Sequence, residues 1–229
     1  MSDTAPPGPC PEEMALVDDG VLRFCVDRWE AHCLQVHKDQ STSPWSPYDD
    51  VDDVVVRAAA AAGAVPQGYI SGTQADAACA LAGKRLCTSA EWLRACRGPD
   101  DQQVWPYPGT WQPGLCNDDY GGHPVVDYFG SSEAWVWTYE SMNDPGINQQ
   151  PGTLAAAGDH PDCVSAYGAF DIVGNLHEWV ADVDGTFRGG FYVDVTINGE
   201  GCGYATTAHA KGYHDYSTGF RCCAEPDDG

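Results

Sequence analysis

The sequence has few basic residues, no long apolar run and no C-x-x-C pair of cysteines. Its 229 residues include 11 Lys and Arg against 34 Asp and Glu, which gives a formal net charge of −23. A surface of this sign repels the phosphates of nucleic acids and of anionic membranes, so we expect neither as a partner. No apolar run approaches the roughly 18–20 residues that a membrane-spanning helix needs. The charge instead fits a metal cation, a basic partner, or simple solubility outside the cell.

Cysteine is abundant but dispersed along the chain. None of the 11 cysteines forms a C-x-x-C motif, so the usual spacing of zinc ribbons and thioredoxin-type redox sites is missing. Dispersed cysteines in a chain rich in Gly and Trp favour disulfides, and therefore an extracellular or periplasmic location. Residues 1–14 lack the basic start and apolar stretch of a signal peptide, so we expect that any leader was removed. The odd number leaves at least one thiol free or shared with another chain.

Two helices are the clearest elements that the sequence predicts. Residues 73–83 and 88–98 each begin with Thr followed three positions later by an acid, which approximates a capping box, and each ends at Gly. The alanine-rich run "VVVRAAAAAGAV" predicts a short third helix that Gly63 and Pro66 end. Alternation of apolar and polar residues predicts a strand at 21–29, and further short strand candidates lie at 134–139, 178–182, 186–193 and 219–224. We therefore expect an α+β fold with short strands and many loops.

One domain is predicted, over residues 21–229. The preceding segment, residues 1–20, is acidic and rich in Pro, and we expect it to lie loosely on the surface until Cys10 fixes it. A disulfide between Cys10 and Cys25 is a plausible way to do so.

Seven segments carry a family resemblance when they are read in order. They are "CVDRWEAH", "ACALAGKRLCTSAEWLRACRG", "WPYPG", "CND", "GAFDIVGNLHEWV", "FRGGFY" and "TGFRCC". Together they resemble the formylglycine-generating enzyme (sulfatase-modifying factor) family over residues 20–224. The resemblance implies a variant of the C-type lectin fold with extra loops and two signature helices. It agrees with the α+β expectation.

The catalytic metal site of that family is not matched. The resemblance implies that oxygen-dependent members hold copper(I) between two cysteines spaced C-x-x-x-x-C after an R-G-G segment, and soft thiolates suit copper(I). The corresponding segment here is "RGGFYVDVTINGEGCGY", in which Asp194 and Ile197 stand nearest the expected cysteines. We therefore do not expect copper.

The resemblance also implies two disulfides, Cys79–Cys222 and Cys96–Cys202. Each closes a loop of more than a hundred residues, which the loop-entropy model values at about 4–5 kcal/mol. The sequence does not pair the remaining cysteines: Cys33, Cys87, Cys116, Cys163 and Cys223.

Structural calcium is the cofactor that the resemblance implies, at the turn in "DIVGNLHEWV". Its ligands would be the side chains of Asp171 and Glu178 and the carbonyls of Gly174 and Leu176. Hard oxygens of this kind suit calcium. Alternatively, Asp171 caps a turn while Glu178 faces water, or the two carboxylates form an acid–base pair.

A second calcium site is implied elsewhere in the chain. It would begin at the Asn117 side chain and the Asp118 carbonyl, with Asp144 as a further candidate.

The surface formed by residues 191–216 is the expected ligand site. Its candidate residues are Tyr192, Asp194, His209, Tyr213 and His214. We expect a non-catalytic binding or accessory module for a protein, peptide or carbohydrate ligand. The alternative is a metal-dependent oxidoreductase in which His209 and His214, with Asp215 or Asp194, hold iron. Histidines in such loops also serve simply as hydrogen-bonding groups.

Overall fold

The structure is a computed structural model that describes residues 8–227. Within that range the chain forms eleven short strands, β1–β11, and four helices, α1–α4, joined by long loops. The strands are Met14–Asp18, Arg23–Asp27, His32–Val36, Thr42–Pro44, Val56–Ala59, Arg85–Leu86, His177–Val180, Thr186–Arg188, Ala205–Thr206, Thr218–Phe220 and Cys222–Ala224. The helices are Gly72–Leu81, Ser89–Arg97, Pro124–Phe129 and Tyr139–Met142, with 3-10 turns at Ala134–Trp137, Ile147–Gln149 and Gly201–Gly203. This arrangement confirms the α+β expectation.

Three small sheets organise the fold. Their strand orders are β1-β2-β11-β6, β10-β7-β8-β9 and β4-β3-β5. In the first sheet β11 pairs antiparallel with β2, so the two ends of the domain meet in one sheet. In the second, β7 lies between the parallel strand β10 and the antiparallel strand β8. That central position places the residues of β7 in the interior.

Helices α1 and α2 begin at capping boxes. The box of α2 is the predicted one, with Thr88 and Glu91 each bonded to the other's backbone. In α1 the N-cap is Ser71 rather than Thr73, and Gln74 completes the box. The helix therefore begins two residues earlier than its sequence signal indicated.

The alanine-rich run forms a strand instead of the predicted helix. Residues Val56–Ala59 are β5, which pairs with β3 and packs against α1. Ala58 is buried there, and its small side chain lets the helix approach closely. Tertiary pairing thus overrides the helical propensity of alanine.

Further segments differ from expectation. The strand expected at 219–224 is divided into β10 and β11, which belong to different sheets, and the one expected at 186–193 ends at Arg188. Residues 14–18, placed in the loose N-terminal segment, form β1, whose Met14, Ala15 and Val17 side chains are buried. Residues 1–7 of that segment lie outside the described range. The strand expected at 134–139 is a 3-10 turn that leads into α4.

Ten of the eleven cysteines form five disulfides. The structure contains Cys79–Cys222 and Cys96–Cys202, the pairs that the resemblance implies, and also Cys10–Cys25. The sequence left two further pairs unassigned, Cys87–Cys223 and Cys116–Cys163. Cys33, on β3, is a buried free thiol.

Candidate functional site

The turn before β7 is built from unusual backbone conformations. Asp171 and Asn175 both have φ of 53°, and Gly174 has φ of 82°. Asp and Asn adopt this left-handed conformation more readily than most residues. A Cβ on Gly174 would collide with the Asn117 carbonyl, so the turn lies directly against the loop at 117–118. The two loops for which calcium was expected are therefore neighbours.

The Cys116–Cys163 disulfide holds these loops together. Asn117 follows Cys116 in sequence, and the amide of Asp171 donates to the Cys163 carbonyl at 2.9 Å. The amide of Asn175 donates to the Asn117 carbonyl at 2.8 Å.

Glu178 is held by a buried guanidinium. Arg221 donates from Nε and Nη2 to the two carboxylate oxygens of Glu178, at 2.7 and 2.6 Å. The indole N–H of Trp92 donates to the same carboxylate at 2.7 Å. Arg221 and Glu178 are 0% and 1% exposed, so this is a dry, bidentate ion pair. Glu178 does not face water.

Two more carboxylates share this interior. Glu30, 1% exposed, accepts from the side-chain amide of Asn175 at 2.5 Å and from the amide of Leu176 at 3.2 Å. Asp171 accepts from the amide of Gly158 at 2.7 Å. Three carboxylates thus surround one guanidinium, which leaves an excess of negative charge in the core.

This charge excess changes the acidity of the carboxylates. Burial raises the pKa of Glu30 well above its ordinary value, and the charges of Glu178 and Asp171 raise it further. Burial also raises the pKa of Asp171 to about 6, although Gly158 and Arg221 favour its ionised form. Uptake of either a proton or a cation therefore reduces the repulsion between these buried carboxylates.

The donor chemistry at Asp171 fits calcium. The oxygens are hard, and the surplus charge favours a cation. Within residues 8–227 no three His, Cys, Asp or Glu side chains converge closely enough to hold a metal alone, so backbone carbonyls such as those of Gly174 and Leu176 would have to contribute. Glu178 would have to share its oxygens with Arg221.

The second expected calcium loop is occupied by protein contacts. The Asn117 side-chain amide donates to the Thr153 carbonyl and to the Asn175 side chain, at 2.7 and 2.9 Å. Asp118 accepts from the indole of Trp111 and from the amide of Gly114. None of these bonds uses the Asn117 side-chain oxygen or the Asp118 carbonyl, the two expected ligand atoms, and calcium there stays a prediction.

Asp144 serves a separate turn. Its carboxylate caps the amide of Gly146, and its carbonyl accepts from the Tyr69 hydroxyl.

The residues expected to line a ligand surface are mostly engaged in the fold. Tyr192 is 0% exposed and donates to Asn148 at 2.8 Å, so it belongs to the core. Asp194 caps the turn at residues 196–197. His209 stacks on Tyr213 with ring centroids 3.7 Å apart, and both rings are partly exposed. The part of the expected ligand surface that remains available to a ligand is therefore the stacked pair of His209 and Tyr213.

His214 is buried, and both of its ring nitrogens have hydrogen-bond partners. Its Nδ1 lies 2.7 Å from Asn143 Oδ1, and its Nε2 lies 2.7 Å from the Tyr139 hydroxyl and 3.2 Å from Asp52. Asn143 uses its amide nitrogen on the carbonyls of Tyr139 and His214, so its oxygen must accept from His214 Nδ1–H.

No iron triad forms from the expected histidines. Asp215 accepts from the hydroxyls of Tyr213 and Ser217 rather than approaching His214 as a co-ligand. Within the described range, no three metal-ligating side chains meet. The alternative iron site at His209 and His214 therefore lacks its geometry.

The sequence reasoning missed Glu30 and Arg221 as site residues. Both lie in quoted segments, "CVDRWEAH" and "TGFRCC". The available signal was the single Arg among the apolar residues and cysteines of "TGFRCC". If that segment is buried, its guanidinium needs an acid, because guanidinium groups are almost never buried without one.

Comparison with known proteins identifies the family. Residues 27–225 match the sulfatase-modifying factor enzyme 1-like domain. The formylglycine-generating enzyme of Mus musculus is 30% identical over 118 residues, which is 51% of this chain and 27% of that protein. The inactive C-alpha-formylglycine-generating enzyme 2 of Bos taurus is 32% identical over 121 residues, 51% of this chain and 32% of that protein. The chain thus spans about a third or less of the length of these relatives.

A solved structure shares the fold. PvdO from Pseudomonas aeruginosa superposes with a TM-score of 0.53 at 13% identity, covering 94% of this chain and all of that one. None of the helices within residues 8–227 has the length and apolar character to cross a membrane. Because the family match extends from residue 27 to residue 225, the chain belongs to the family of sulfatase-modifying factor enzyme 1-like domains.

Proposed function

We propose that this chain is an exported, calcium-stabilised member of its family that lacks copper-dependent oxidase activity. It acts as a non-catalytic binding or accessory module for a protein, peptide or carbohydrate ligand. The observation that carries the proposal is the state of its cysteines: ten are in disulfides and the eleventh is buried.

Copper(I) chemistry in this family needs two thiolates within reach of each other. Asp194 and Ile197 stand at the positions nearest to the expected pair, and Cys202 is joined to Cys96. The remaining thiol, Cys33, is 2% exposed, and burial raises its pKa, which keeps it protonated. A protonated, enclosed thiol is a poor metal ligand.

Two further observations support the proposal. One matched relative is named an inactive formylglycine-generating enzyme, so inactive members occur among proteins similar to this one. Five disulfides are typical of proteins outside the cytoplasm.

Copper(I) titration tests the absence of the oxidase site. The unreduced protein is titrated with copper(I) in ascorbate against a chromophoric copper chelator. We expect no stoichiometric uptake by the wild type. The double variant Asp194→Cys with Ile197→Cys is the positive control, because it supplies two thiols on the loop after Gly190. Uptake of one copper by the wild type would refute the proposal.

Calcium binding is tested with Asp171→Asn. Asparagine keeps the left-handed backbone and the hydrogen bond from Gly158 but removes the charge. A carboxyl whose folded pKa is raised contributes stability below its unfolded pKa, and that contribution is lost as the pH rises through about 6. In EDTA at neutral pH, the variant should therefore be more stable than the wild type by about 2–3 kcal/mol.

Calcium should reverse that order. We expect millimolar calcium to raise the melting temperature of the wild type and to leave Asp171→Asn unchanged. Near pH 4 in EDTA the two proteins should melt alike, because Asp171 is then protonated. Asp159→Asn, at an exposed acid near this turn, is the matched control. A wild-type melting temperature that is the same in EDTA and in calcium would exclude the site.

A further inference from the structure

A patch of exposed aromatic rings lies on residues 128–139. Tyr128, Trp135, Trp137 and Tyr139 are 41, 49, 40 and 49% exposed. Large aromatic side chains clustered at the surface are a common mark of an interaction site. We call these four residues the aromatic patch.

The rings of the patch are held in place by neighbouring rings. Trp135 meets Phe129 edge-on at 5.3 Å between centroids, and Trp137 meets His123 in the same way at 4.7 Å. Both partners belong to α3 or its N-cap. Val136, between the two Trp residues, is fully buried and anchors the turn. The aromatic faces are thus pre-positioned, which reduces the entropy lost on binding.

The chain segment that carries the patch has acidic residues but no Lys or Arg. Residues 98–187 contain no Lys or Arg. Within the patch segment Glu133 and Glu140 are exposed acids, and burial, together with the charges of Asp52 and Asp50, raises the pKa of the Tyr139 hydroxyl. Exposed aromatic faces beside carboxylates attract cations through both cation–π contacts and ion pairs.

Other occupants use this surface less well. A second copy of the chain would bring an identical acidic patch against this one, and the two would repel. A neutral sugar would stack on the rings but would gain little from the carboxylate charge. A chain segment rich in Arg and Lys uses both features, since a guanidinium can lie on an indole and pair with a carboxylate.

We propose that the aromatic patch, with Glu133 and Glu140, binds an Arg- and Lys-rich segment of a partner protein. This interaction specifies the ligand class for the binding role proposed above, and it depends on no other part of the proposed function. The stem of each basic side chain covers a ring while its charged end reaches an acid. Binding therefore weakens with added salt, and it depends on the rings as well as on the charge.

The test uses a fluorescently labelled octa-arginine peptide and fluorescence anisotropy. We expect Trp135→Ala with Trp137→Ala to weaken binding about tenfold. Glu133→Lys with Glu140→Lys should weaken it at least as much and leaves every ring in place. The matched control is Glu12→Lys with Asp184→Lys, which reverses two exposed acids elsewhere and changes the net charge equally. That control should bind within about twofold of the wild type.

Three results would overturn the proposal. The first is equal weakening by the control pair, which would show attraction to the overall charge alone. The second is undiminished binding by the double Trp variant with its circular dichroism spectrum intact. The third is tighter binding of a neutral oligosaccharide than of octa-arginine. Copper(I) uptake by the wild type would refute the proposed function, but it would not change the interpretation of the octa-arginine binding results.

Discussion

Replacing Arg221 with methionine is expected to lower the free energy of unfolding by about 3–5 kcal/mol, or to prevent folding altogether. Arg221 is the guanidinium that neutralises Glu178, and it also donates to the carbonyls of Asp27 and Phe170. Without it, the buried carboxylates of Glu178, Glu30 and Asp171 lose the guanidinium that offsets their charge. Urea unfolding followed by tryptophan fluorescence measures the change.

A second substitution separates charge from packing. Arg221→Met with Glu178→Gln removes both charges and keeps side chains of similar volume, so it should recover a large part of the lost stability. Arg57→Met, on an exposed position of β5, should change the free energy of unfolding by less than about 0.5 kcal/mol. If Arg221→Met were no more destabilising than Arg57→Met, the buried ion pair would not be what stabilises this interior.

Removing the Cys79–Cys222 disulfide is expected to destabilise the protein by about 2–3 kcal/mol in the loop-entropy model, because Cys87–Cys223 still joins the same two segments and shortens the loop that is released. The bond joins residues 143 apart and fixes α1 to β11. The paired variant Cys79→Ala with Cys222→Ala tests it. Calorimetry of the unreduced proteins gives the shift in melting temperature.

The short disulfide provides the comparison. Cys10–Cys25 spans 15 residues, so Cys10→Ala with Cys25→Ala should be similarly damaging, at about 3 kcal/mol. A loss of about 4–5 kcal/mol for the Cys79–Cys222 pair, the value for a free loop of that length, would contradict the Cys87–Cys223 disulfide beside it.

Local sequence signals predicted the elements that depend on local physics. The box at Thr88 and Glu91 begins α2 because those side chains satisfy amides three residues apart. The run around Ala58 was misjudged because its conformation depends on β3 and α1, which are distant in sequence. Likewise, residues 14–18 form a strand only because β2 lies beside them.

The candidate site was predicted in part for the same reason. The turn at Asp171 and Gly174 has a sequence signature, and the structure gives both residues positive φ. Glu30 and Arg221 lie 191 positions apart (221 − 30), and only the folded chain brings them to Glu178. The same holds for Cys87–Cys223 and Cys116–Cys163, which no local pattern distinguishes from other pairings.

The number of copper(I) ions bound per unreduced chain tests the central claim most directly. With ten cysteines in disulfides and Cys33 enclosed, the wild type should bind none, while Asp194→Cys with Ile197→Cys gains a site. One tightly bound copper in the wild type would contradict the proposal that this chain is a binding module without the oxidase centre.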